Sequence, residues 1–130
     1  MRHVKLILKR LLAIAFVLAG INHFLNPTFY LRMMPPILPV PLVLIYLSGI
    51  FEIALGILLL IPKFTRFAAW GLIALLIAVF PANVYMAVNP QIFSEFSSTA
   101  LYARLPLQLV LIALAFWFTR KNLEKNLRNS

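Results

Sequence analysis

Four long apolar stretches, separated by short polar or proline-rich connections, organise this chain. They run from about Leu6 to Leu25, Pro41 to Ile61, Phe67 to Ala87 and Leu101 to Thr119. Each comes close to the ~20 residues a helix needs to cross ~30 Å of hydrocarbon. The pattern predicts an all-α fold: an integral membrane four-helix bundle forming a single domain over residues 1–130. The opening segment, RHVKLILKR followed by LLAIAFVLAG, has the basic and apolar regions of a signal peptide. No A-x-A cleavage site follows it, so it reads as an uncleaved first span.

The connections carry the orientation. Arg2, Lys5, Lys9 and Arg10 precede span one, Lys63 and Arg66 join spans two and three, and Arg120, Lys121, Lys125 and Arg128 follow span four; only Arg32 and Arg104 of the 12 basic residues fall on the other side. The positive-inside rule then places both termini in the cytoplasm. Pro62 ends span two and suits a tight turn. The first outer loop holds Pro27, Pro35, Pro36, Pro39 and Pro41, a density that excludes a helix from Met34 to Pro41. It reads as an interfacial loop, with a lid over a cavity as the alternative. Phe29, Tyr30 and Met33 are its expected membrane anchors, with Arg32 reaching for headgroups; Tyr102, Trp70 and Trp117 are the other anchors.

Composition agrees with this reading. Hydrophobic residues make up 63% of the chain and charged residues 12%, against roughly 45–50% and about 25% in soluble domains. The formal net charge of +9 follows from topology and implies no nucleic-acid partner. The absence of cysteine excludes disulfides, thiol exchange and thiolate metal sites within this chain.

Against that background Glu52 stands out, because an ionised carboxylate in mid-span costs several kcal/mol unless paired. Counting ~1.5 Å per residue from the cytoplasmic ends puts Glu52 and Gln108 ~15–16 Å deep, and His23, Asn83 and Arg104 ~20–25 Å deep. Four spans thus bring polar groups toward one half of the bilayer. Small residues share their faces: Ala15 and Ala19 with His23; Ser48, Gly49 and Gly56 with Glu52; Gly71, Ala74, Ala78 and Ala82 next to Asn83; Ala115 with Arg104 and Gln108. The expectation is one buried polar cluster of Asn22, His23, Glu52, Asn83, Arg104 and Gln108. Glu52 and Arg104 are its candidate ion pair, and Ser48, Gly49, Gly56, Pro81 and Pro106 support it, the prolines by kinking spans three and four. Either a ligand site or a structural lock fits this pattern. Two buried ligands, His23 and Glu52, are too few for a zinc site. No catalytic constellation or haem-ligand pair is visible.

The segments GINHFLNPTFY, SGIFEIALG, RFAAWG, FPANVYMA and RLPLQ resemble, in order and spacing, the DoxX family of small bacterial membrane proteins. The resemblance covers nearly the whole chain. It implies a four-helix bundle in the bacterial cytoplasmic membrane, associated with membrane redox systems such as a thiosulfate:quinone oxidoreductase. Asn22, His23, Glu52, Asn83, Arg104 and Gln108 occupy the family's polar positions, and no established catalytic role comes with them. The expected function is that of an accessory or quinone-like ligand-binding component in the inner membrane, at most a membrane subunit of an oxidoreductase. The alternatives are a proton-coupled small-molecule transporter and an assembly factor without a ligand. Expected partners are the lipid bilayer, a membrane or peripheral redox protein and a second copy of the chain.

Overall fold

The computed structural model describes residues 2–120; Lys121, Lys125 and Arg128, which entered the charge argument, lie outside the described residues. Five α-helices follow one another: α1 (Arg2–Leu25), α2 (Pro27–Met33), α3 (Pro41–Leu59), α4 (Thr65–Val88) and α5 (Ser98–Thr119). Two 3₁₀ turns, Pro62–Phe64 and Pro90–Phe93, precede α4 and α5. No strand occurs among the described residues. Three segments are long and apolar enough to cross a membrane: Pro41–Leu59, Pro62–Val88 and Thr99–Thr119.

Prolines set several boundaries. Pro27, Pro41, Pro62 and Pro90 each stand in the first turn of an element, where a missing N–H is harmless and the fixed φ suits a helix. In the α3–α4 turn Thr65 Oγ1 donates to the carbonyl of Leu59 (3.0 Å), at the end of α3 where carbonyls lack helical partners, and to that of Ile61 (3.2 Å), which also accepts from the Phe64 N–H. Ser97 caps α5 by accepting from the Ala100 N–H at 3.1 Å.

α1 runs antiparallel to α3. Gly56 lies on the Ala13 carbonyl, Gly20 on that of Gly49, and His23 opposite Ile45. A Cβ on Gly20 would sit 2.6 Å from the Gly49 oxygen, so the two backbones touch as small-residue packing permits. The contact face of α1 is therefore Ala13–Gly20–His23; Ala15 is exposed and Ala19 only half-buried, contrary to the expected stripe. On α4, likewise, Ala74 and Ala78 are exposed, while Ala68, Ala69, Leu72 and Leu76 are buried. There Leu55 of α3 fills the space over Gly71, so a large side chain against a small one, rather than an alanine row, sets that interface.

The main core joins four helices: Leu12, Ala13 and Phe16 of α1, Leu55 and Leu59 of α3, Ala68, Ala69, Leu72 and Leu76 of α4, and Phe118 of α5. A second core lies toward the α2 end, where Met33 packs with Met86, Phe93 and Leu101. Met33 is thus a buried residue and not an interfacial anchor. At the opposite end Lys5 and Lys9, read from sequence as flanking charges, are buried; the Lys5 ammonium lies 5.5 Å from the centre of the Trp117 ring, close enough for a cation–π contact.

Candidate functional site

The polar residues singled out from sequence fall into two hydrogen-bonded groups with one aromatic residue between them. The first is built on the α1–α3 contact. Gly49 has no Cβ, and the His23 Cβ occupies that space. His23 Nδ1 lies 3.0 Å from the Ile45 carbonyl. A carbonyl only accepts, so Nδ1 carries the proton and Nε2 is free to accept one. Glu52 Oε2 lies 3.3 Å from that Nε2. The oxygen is buried and takes no other partner among the described residues. Ser48 is half-buried one turn before Glu52 and makes no side-chain hydrogen bond among the described residues, while Gly56 serves the backbone contact with α1.

The second group is built on α4 and α5. Both Nε and Nη2 of Arg104 donate to Asn83 Oδ1, at 3.4 and 3.3 Å. Asn83 Nδ2 donates to Gln108 Oε1, and Gln108 Nε2 donates to the Leu76 carbonyl. That carbonyl lies in the turn before Pro81, but the carbonyl that Pro81 cannot pair is that of Ile77, one residue on. Pro106 interrupts α5 two residues past Arg104. Asn83 and Gln108 are buried, and Arg104 is half-buried.

Glu52 and Arg104 do not form the expected ion pair. Glu52 faces His23, and Arg104 faces Asn83. Tyr30 of α2 lies within electrostatic reach of both charges. Its ring centre is 4.1 Å from that of His23, and its hydroxyl accepts from Asn22 Nδ2 at 2.7 Å. Asn22 Oδ1 in turn accepts from the exposed Asn26 at 2.6 Å. Sequence reasoning placed Tyr30 at the interface and left Asn26 aside. The available signal was spacing: Asn22 and Tyr30 flank the Pro27 turn, which folds α2 back over the end of α1.

A latch holds α2 in place. Arg32 grips Glu95 with two N–H groups, at 2.5 and 3.2 Å, and also donates to the Ile92 carbonyl at 3.0 Å. Its guanidinium lies 5.3 Å from the Phe29 ring centre and 5.2 Å from that of Phe93. These hydrogen bonds hold the Glu95 carboxyl below its ordinary range. The expected headgroup contact of Arg32 is thus replaced by a protein carboxylate.

Beside the second group lies a partly open cleft of ≈ 160 Å³, lined by Leu76, Val79, Asn83, Arg104, Leu107, Gln108 and Leu111. The lining combines amide and guanidinium groups with aliphatic carbons. Among the described residues no cluster of three acidic or histidine side chains gathers to hold a metal ion.

These features define an all-helical protein with three membrane-length apolar segments and a divided polar interior. The family model described as "Domain of unknown function (DUF8561)" matches residues 12–119, and the chain belongs to that family. No curated protein and no solved structure matches it.

Proposed function

We propose that this chain is a multi-pass membrane protein that holds the headgroup of an amphipathic, acceptor-bearing lipid-like molecule, a quinone in the first instance, in the α4–α5 cleft. The carrying observation is the cleft's composition: Arg104, Asn83 and Gln108 together with Leu76, Val79, Leu107 and Leu111. Arg104 has five N–H donors and spends two on Asn83. The rest suit a carbonyl oxygen. At ≈ 160 Å³ the cleft is smaller than the about 300–1,000 Å³ of sites that engulf a drug-sized ligand. It suits a single ring, with the tail left among lipid chains.

In this reading α1, which lies alongside α3 from Ala13 to His23, is the fourth span of a four-helix bundle. The α2 end faces outward, and both termini face the cytoplasm, as the basic residues ask. The DoxX-like segments support the bacterial inner membrane and an accessory role in a redox system, with a membrane or peripheral redox protein, or a second copy, as partner. Asn22, His23 and Glu52 then stand behind Tyr30, outside the headgroup's direct reach.

The test is binding of a short-chain quinone analogue to the purified chain in detergent, with a tail-matched hydrocarbon as control. Saturable binding that weakens at least about tenfold in Arg104→Gln, the loss of about 1.4 kcal/mol, supports the reading. Equal binding of analogue and hydrocarbon, or an unchanged Kd in Arg104→Gln, overturns it.

A further inference from the structure

The strongest feature not used by the cleft is the His23–Glu52 pair. Glu52 is 9% exposed and His23 7%. Glu52 Oε2 is buried, 3.3 Å from Nε2, with no hydrogen bond among the described residues. A buried oxygen of this kind calls for a missing partner. A metal ion does not fit, because His23 Nδ1 is committed to the Ile45 carbonyl and no third ligand approaches. A proton does fit.

With Nδ1 protonated, three fillings of the pair are possible. Without a further proton it carries one negative charge; with two it carries one positive charge; with one it is neutral. Inside a nonpolar helix assembly the neutral filling is the least costly. Of its two forms, carboxylic acid beside neutral imidazole avoids separating charge where hydration is absent. The charged and titratable groups around the pair are Tyr30 from α2 and, beyond it, Arg104 from α5. α4 carries only Arg66, at its far end, and Tyr85, and neither side chain hydrogen-bonds to the pair. Among the described residues no Lys or Arg forms an ion pair with the carboxylate.

Asn26 is exposed and donates to Asn22, which donates to the Tyr30 hydroxyl. The Tyr30 ring packs on His23.

We propose that His23 and Glu52 form a proton-binding site in which Glu52 is a carboxylic acid donating to His23 Nε2 and exchanging its proton with water. The site does not depend on what occupies the α4–α5 cleft. A buried, protonated carboxyl has a recognisable chemistry: it adds to a hydrophobic carbodiimide. The acid proton moves to a carbodiimide nitrogen, the carboxyl oxygen bonds to the central carbon, and the acyl group then shifts to nitrogen, giving an N-acylurea that retains every atom.

The experiment uses the full chain in detergent micelles at neutral pH, treated with dicyclohexylcarbodiimide and mapped by peptide mass spectrometry. Glu52 is expected to be modified, and Glu95, an ion-paired carboxylate at the exposed rim, is expected to remain unmodified. Labelling of Glu52 only after denaturation in SDS overturns the proposal. Infrared spectroscopy gives a second reading without a variant. Protein labelled with carbon-13 on glutamate is expected to show a protonated-carboxyl band that shifts on transfer to D₂O. Absence of the band overturns the acid form, and a band that fails to shift overturns exchange. Quinone-analogue binding, measured on the same samples, reports separately on the cleft.

Discussion

The two helix pairs carry similar polar loads in opposite ways. α1 and α3 meet through Gly20, Gly49 and Gly56, backbone against backbone, and close around His23 and Glu52. α4 and α5 each contain an internal proline, Pro81 and Pro106, and enclose Asn83, Arg104 and Gln108 beside an open cleft. Glycine removes the side chain that would hold helices apart. Proline removes a hydrogen bond and bends the helix that carries it. One pair therefore seals its polar atoms, and the other leaves them beside an open cleft.

The largest expected effect comes from forcing the tight pair apart. A side chain on Gly20 meets the Gly49 carbonyl and the Ile53 backbone nitrogen, which no rotamer change moves. Gly20→Val should cost about 2–3 kcal/mol by overpacking, more than the gain of up to about 1 kcal/mol from replacing glycine within a helix. Denaturant unfolding in mixed micelles measures it. Gly71→Ala is the contrast: its neighbour is the flexible end of Leu55, so stability should hold or rise.

A smaller effect is expected in the open pair. Gln108→Leu leaves the Leu76 carbonyl and the Asn83 amide without their partner, a loss of about 1–3 kcal/mol. The same change should weaken analogue binding, since Asn83 no longer holds its place beside Arg104. Stability unchanged in Gln108→Leu would mean that the open pair tolerates unsatisfied amides and is looser than the hydrogen bonds imply.

The smallest effect concerns the tie between the two halves. Hydrogen bonds from Arg32, and secondarily a backbone N–H, depress the Glu95 carboxyl. A depressed acid stabilises the fold above its unfolded value and loses that contribution as pH falls through the lower folded value. The Arg32 latch should therefore be intact at neutral pH and release only in acid. Hydrogen exchange of residues 27–33 should rise under those conditions, and Glu95→Gln should show the raised exchange already at neutral pH. Exchange independent of both would show that Met33 and Phe29 hold α2 without the ion pair.

Much of the helical layout was legible because few chain patterns suit a membrane: long apolar runs, with proline and charge at their ends. The four long helices occupy the apolar stretches, three of them extended by a few residues and α3 ending two residues early, whereas α2 forms a helix within the segment read as an outer loop. Counting residues from the span ends put Glu52 and Gln108 at one level and His23 and Asn83 nearer the outer end, yet Asn83 meets Gln108 and His23 meets Glu52. Rotation was not legible. Ala13 and Ala15 differ by two residues, about 200° around a helix, and a row of alanines does not say which neighbour it faces. The partition of the polar residues into two groups followed from that rotation. It also followed from Tyr30, whose inward turn depends on how α2 folds back after Pro27 and on the Arg32 latch, contacts between segments roughly sixty residues apart in sequence.

The single phenol of Tyr30 stands as a thin bulkhead between a sealed chamber and an open berth. Any event that shifts α2, whether at the rim or at the berth, reaches the imidazole through direct ring contact. Two compartments built on separate helix pairs thereby share one moving part.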